Sequence, residues 1–178
     1  MLQGKFEPYA ARCKDLGFSA MEISDGTIDL PIAIRKKAIK TAKMYTPLVI
    51  TEVGKKLESG FDVGHTVEMI LRDIESGADY VIVEGRESGE NVGLFGDEGC
   101  IHEDDLAALC DALPGNAQAA LLFESPKKSQ QIAFIAKFGS DVNLGNITPS
   151  EALALECLRR GLRSDTLPLT PMMPQTDE

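Results

Sequence analysis

Tryptophan is absent from this chain of 178 residues, and phenylalanine and tyrosine supply the whole aromatic fraction of 6%. A surface that stacks nucleic-acid bases needs more aromatic side chains than that. Histidine occurs twice, at His65 and His102, both where helices are expected to start and face solvent, and the two are not expected to form a metal pair. The cysteines, Cys13, Cys100, Cys110 and Cys157, include no Cys-x-x-Cys spacing, which argues against zinc and iron–sulfur sites. No apolar run approaches the roughly 18 residues of a membrane helix, and no signal-peptide pattern opens the chain. Basic residues are in deficit: the formal net charge is −10 and the isoelectric point about 4.7. That balance disfavours nonspecific binding to nucleic acid or anionic membranes, although a few cations gathered in one mouth can still dominate a local potential. The expectation is a cytoplasmic protein with reduced thiols and neither nucleic-acid nor membrane partners.

What is present is an ordinary hydrophobic fraction of 43% and enough length for one well-covered domain. The most informative stretch is residues 79–87, an apolar Tyr-Val-Ile-Val run that ends in Glu84, Gly85 and Arg86. A short bounded run rich in Val and Ile fits a strand of a covered parallel sheet, though periodicity alone does not separate it from a short helix. Three other apolar runs end in the same way, at Glu22, Glu52 and Glu124. Four strands that each deliver a glutamate at the C-terminal end point to a single site.

Helical spacing fills the intervals. Residues 5–16 carry apolar positions at three-and-four spacing, and residues 32–45 continue from Pro31 as a basic amphipathic helix. The charge run Arg35, Lys36, Lys37, Lys40 and Lys43 reads as a solvated face of that helix. Residues 63–76 form the next helix, closed by Gly77, followed by residues 102–113 and a helix that starts near Pro126. The final helix is announced by Thr148, Pro149 and Glu151, a capping arrangement with proline in the first turn. Between Glu84 and Cys100 lies a loop with glycines at 85, 89, 93, 96 and 99 that matches neither the dinucleotide fingerprint nor the P-loop. Its length suggests an active-site lid.

Glu22, Glu52 and Glu84 recur at intervals of roughly 30 residues, the length of one strand–helix unit, which implies a parallel sheet with right-handed crossovers. The open doubly wound sheet and the closed (β/α)8 barrel compete. Functional residues at nearly every strand end favour the barrel, because an open sheet concentrates its site at one switch point. A barrel has eight strands in typically about 250 residues. Only five are counted here, so the expectation is a TIM-barrel family α/β chain with the C-terminal five β/α units present. Residues 1–166 are assigned to this partial barrel and 167–178, with three prolines at 168, 171 and 174 in the stretch after Thr166, to a disordered tail.

Six ordered blocks carry a family resemblance: residues 22–28 (Glu-Ile-Ser-Asp-Gly-Thr-Ile), 50–56 (Ile-Thr-Glu-Val-Gly-Lys-Lys), 83–88 (Val-Glu-Gly-Arg-Glu-Ser), 122–124 (Leu-Phe-Glu), 142–146 (Val-Asn-Leu-Gly-Asn) and 158–163 (Leu-Arg-Arg-Gly-Leu-Arg). In these the chain resembles the phosphosulfolactate synthase family, which also includes heat-stress-associated proteins. The resemblance implies a lyase that adds sulfite to phosphoenolpyruvate with Mg²⁺, the coenzyme M biosynthesis type of reaction. The family's first three strands have no counterpart here, which implies either a fragment or a remnant that needs a partner, with activity impaired. A noncatalytic or stress-associated member is the alternative, and a homo-oligomer is left open.

For the site, the resemblance implies Glu52 and Glu84 as catalytic and metal-binding carboxylates, with Glu22 and Glu124 as further Mg²⁺ ligands. Lys55 is the expected general acid, and Arg86, Lys56, Asn143 and Asn146 the substrate-binding set. Backbone N–H groups at the Asn146 loop and the helix at Pro149 offer a phosphate site. Blander readings stand beside each. A strand-end glutamate can simply pair with a neighbouring cation, Lys56 can be the functional lysine instead of Lys55, and Arg86 can pair with Glu84 or Glu87. Arg159, Arg160 and Arg163 fit a helix C-terminus better than a substrate.

Overall fold

A computed structural model describes residues 1, 3–25, 30–54, 61–85 and 88–169. Strands β1 (Ala20–Ile23), β2 (Leu48–Val53), β3 (Tyr80–Val83), β4 (Leu121–Glu124) and β5 (Leu144–Gly145) form one parallel sheet. Helices α1 (Phe6–Asp15), α2 (Ile32–Tyr45), α3 (Val63–Ser76), α4 (Glu103–Ala112), α5 (Gly115–Ala119), α6 (Lys128–Phe138) and α7 (Ala152–Arg159) alternate with the strands.

Each strand pairs with its neighbour in the chain, in the order β1-β2-β3-β4-β5. A doubly wound sheet must reverse its strand order somewhere. These five strands contain no reversal, so the winding runs in one sense and β1 and β5 are left as edges.

Strand residues alternate between two unlike faces. Met21, Ile23, Val49, Val53, Val81, Val83, Leu121 and Phe123 are buried and pack on the helices. The largest core cluster joins Val81 and Phe123 to Ile70 of α3, Leu106 and Leu109 of α4 and Phe134 of α6. Burying one such side chain contributes roughly 1.5–3 kcal/mol, so this layer holds the sheet in shape. Phe123 stacks on Phe134 at 4.5 Å between ring centroids and on Phe138 at 5.3 Å.

The stretch 88–101, expected as an active-site lid, is built into that core. Val92, Leu94 and Phe95 are buried, and Phe95 meets Phe134 edge-on. Short antiparallel bridges join Val92 to Phe95 and Phe95 to Ile101. The buried Gln130 amide donates to the carbonyls of Gly89 at 2.7 Å and Gly99 at 3.2 Å. Two glycines are required for the close approach: a Cβ on Gly93 (φ +52°) would lie 2.4 Å from the Glu84 carbonyl oxygen, and one on Gly85 2.7 Å from that of Glu124.

Smaller differences have local causes. Pro114, at the N-cap, Gly115 and Asn116 start the short helix α5 between α4 and β4. The Thr148 and Ser150 hydroxyls share a hydrogen bond at 3.0 Å and Thr148 accepts no backbone N–H as a cap; the chain passes through a 3-10 turn, Pro149–Glu151, before α7. Residues 26–28 of the 22–28 block and 170–178 of the expected tail lie outside the described residues, while Leu167–Leu169 forms a 3-10 turn.

Candidate active site

Even-numbered strand positions project opposite to the helix-covered layer, and the glutamates occupy this second face. Register places them in order: Glu22 pairs with Ile50, Glu52 with Ile82, and Ile82 with Leu122. Because same-face residues are two apart, Glu52 sits one level beyond Glu22, and Glu84 and Glu124 one level beyond Glu52. The carboxylates climb diagonally toward the C-terminal ends of the strands.

Glu52 is half-buried at the centre of this diagonal. Burial pushes its carboxyl up from 4.5 to about 7, reinforced by the negative charges of Glu84, Glu22, Glu124 and Asp25, in that order. A carboxyl so placed exchanges its proton near neutral pH, and it sits in excess negative charge that a cation would relieve. Asp25, just beyond β1, stands in the 22–28 block but not among the expected site residues. Its contribution was legible in principle, since it follows Glu22 by three residues at the same strand exit.

Glu124 is partly engaged, with one carboxylate oxygen accepting from the Gly85 N–H at 2.8 Å. It therefore also braces the exit of β3 against β4. Glu22 is exposed and lines a cavity of about 490 Å³ with Lys5, Tyr9, Ser24 and Leu30. Asn143 is brought elsewhere: its amide donates to the carbonyls of Ala119 and Leu121, at the N-terminal end of β4 and away from the glutamate exits. Asn146 follows β5 with φ +57°, a left-handed conformation that asparagine tolerates, and turns the chain toward α7. Lys55, Lys56 and Arg86 lie outside the described residues. Arg159 does not close its own helix but reaches the α6–β5 connection, donating to Val142 O at 2.8 Å, while Arg160 pairs with Glu156 within α7.

One charge was misread. Arg35, taken with the solvated run of α2, is 2% exposed. Its guanidinium is clamped by Asp73 of α3, donates through Nη2 to the main-chain carbonyl of Glu52 at 2.8 Å and faces Asp25 at 3.6 Å. The reason lies in spacing: Arg35, Ala38, Ile39 and Ala42 share one helical stripe, and all four are buried. Lys43 does stay at the surface, 2.6 Å from Asp79 Oδ1. Desolvation pushes the Asp79 carboxyl up, but hydrogen bonds from Lys43 and the Val49 N–H outweigh it and hold it below the usual range.

Among the described residues, no three or more His, Cys, Asp or Glu side chains converge as a ready-made metal cage. Mg²⁺ does not need one, since it is commonly held by one or two carboxylates with waters and substrate oxygens. An all-oxygen donor set around a carboxyl destabilised by its neighbours' charge fits that ion.

Comparison with known proteins gives a consistent result. The sequence model of the (2R)-phospho-3-sulfolactate synthase (ComA) family matches residues 1–165. A phosphosulfolactate synthase of Methanocaldococcus jannaschii is 48% identical over 167 residues, covering 92% of this chain and 65% of the relative. One from Methanothermobacter thermautotrophicus is 41% identical over 169 residues, covering 93% and 64%. A Bacillus subtilis protein of the same description is 38% identical, covering 92% and 65%. The chain thus spans about 65% of the length of these relatives.

Proposed function

Since the chain belongs to the phosphosulfolactate synthase family, we propose that its strand exits form part of a TIM-barrel site that adds sulfite to phosphoenolpyruvate. The observation that carries this reading is the carboxylate diagonal with Glu52 at its centre, raised to about 7 by burial and by Glu84, Glu22, Glu124 and Asp25. Sulfur forms a bond to the methylene carbon. The electron pair of the double bond then moves to the neighbouring carbon and its carboxylate, and a proton completes the product at that carbon. Mg²⁺, when bound, supplies a Lewis acid for the charge that develops there.

The chain's own residues do the rest. Glu52 and Glu84 would hold the ion, with Glu22 and Glu124 as outer donors of the same diagonal. Lys55, two residues beyond Val53, donates the proton, with Lys56 as the neighbouring cation for the substrate's negative groups. Arg86 grips phosphate or sulfonate through its planar fork, and Asn146 with the backbone before α7 receives the phosphate at the last strand. Asn143 takes part only through the β4 backbone it ties.

The test is formation of phosphosulfolactate from phosphoenolpyruvate, sulfite and Mg²⁺ by this chain, compared with Glu52→Gln and Lys55→Ala. Product from the parent and its loss in both variants is expected; unchanged rates in both would remove the assignment. A second reading, a noncatalytic or stress-associated member, is favoured by one observation: apart from the buried Ile82, the residues of this face, among them Glu22, Ile50, Glu52, Leu122 and Glu124, are exposed or only half-buried, whereas parallel strands are normally buried on both faces. It predicts no product under any of these conditions.

A further inference from the structure

We infer that Arg35 is a positioning residue: one buried guanidinium ties the exits of β1 and β2 to α3 and fixes the main chain that carries Glu52. For its catalytic consequence the inference rests on the sulfite-addition reading; its geometry stands independently. Arg35 Nε donates to Asp73 Oδ1 at 2.9 Å and Nη2 to Asp73 Oδ2 at 2.6 Å, so the fork is held in two places. The same Nη2 donates to Glu52 O at 2.8 Å, and Nη1 faces Asp25 at 3.6 Å. Arg35 and Asp73 are each 2% exposed.

A pair that only glued α2 to α3 would need neither of the last two contacts. Nor is a buried ion pair an efficient glue, because desolvation offsets most of its attraction and an apolar pair of similar volume often serves stability as well. What a planar fork adds is direction: it fixes several groups relative to one another, which a lysine ammonium does not. The group fixed by a hydrogen bond here is the main chain of the β2 end that bears Glu52, while Asp25 at the β1 end is drawn in as an ion pair at 3.6 Å; Lys55 follows Glu52 by three residues in the sequence. Arg35 acts through the main chain, so its removal displaces the site while leaving its reacting groups intact.

The test uses Arg35→Lys, which keeps the charge but not the fork, Arg35→Met, and Ile70→Val as a core control that loosens α3 without touching either exit. Amide exchange is compared across residues 20–25 and 48–54 against the rest of the sheet. In Arg35→Lys, exchange there is expected to rise about 10-fold beyond any change shared by the whole molecule, while Ile70→Val moves all regions together. With turnover measurable, kcat should fall about 10²-fold with the KM for phosphoenolpyruvate nearly unchanged, the signature of misplacement without lost binding. A uniform rise in exchange matching Ile70→Val, or a loss in kcat no larger than that control's, overturns the inference. If the parent chain makes no product, the sulfite-addition reading fails on its own, and the exchange pattern alone decides the role of Arg35.

Discussion

The two faces of this sheet are built on opposite principles. On the helix side, Val49, Val81, Ile70, Leu109 and Phe134 are fully buried, and every strand contributes apolar side chains. On the other side the same strands present Glu22, Glu52 and Glu124 between Ile50, Ile82 and Leu122. One face supplies stability and the other gives some of it up, since a half-buried carboxyl raised to about 7 is a charge the fold would rather not carry. The difference shows how a strand of four to six residues can serve both ends, by alternation alone.

The sharpest way to test this division is Glu52→Gln. Turnover should drop about 10³-fold or more, in the range of losing a group that acts directly on reacting charge. The helix face should respond in the opposite sense: Phe134→Ala is expected to cost about 3–5 kcal/mol in denaturant unfolding while kcat per folded molecule stays close to the parent's. Gly93→Ala joins the two faces, because its Cβ would collide with the Glu84 carbonyl at a positive φ. About 2 kcal/mol of stability should be lost, with a local disturbance at the exit of β3 visible by NMR.

The smallest effect is the most specific. The folded state keeps the Glu52 proton between about 4.5 and about 7, where the unfolded chain has released it. This contribution to stability is complete below the lower value and disappears as pH rises through the upper one. Glu52→Gln should therefore match the parent near pH 4 and exceed it by about 1 kcal/mol near pH 8, a figure reduced for solvent screening at a half-exposed group. Equal stability of the two proteins at both pH values would show that the carboxylate face carries no strain. Mn²⁺ as a probe should raise the parent's melting temperature more at pH 8 than at pH 6, because binding requires the ionised carboxylate.

Much of the fold was legible because short Val- and Ile-rich runs ending in glutamate alternate with helical patterns, and the structure keeps all five strands and the helices between them. The choice of winding was not. Strand order depends on which edges meet, and only the consecutive pairing removes the doubly wound alternative for these strands. The glutamates stand out by their place after apolar runs, and the family resemblance ranks Glu52 above Glu22, but the spacing by itself gives no physical reason for that ranking. That distinction comes from register and burial. Arg35 and Asp73 were missed because residue type was allowed to outweigh position: Arg35 shares the stripe of Ala38, Ile39 and Ala42, and Asp73 that of Thr66 and Ile70. The glycines of the 88–101 loop drew attention from Val92, Leu94 and Phe95 between them, whose burial decides how the loop behaves.

The consecutive strand order also bears on how the molecule forms. Among the described strands each pairs with the one made just before it, so the loop-closure cost of each of these pairings stays small. During synthesis β2 can dock on β1 as soon as α2 has emerged, and each later unit can add to an edge already in place. Arg35 and Asp73 meet across 38 residues, about one unit plus its helix, so this clamp can close once α3 has appeared and before β4 is made. Among the described strands the sheet then grows in one direction, with the four strands that carry the glutamates in place before β5.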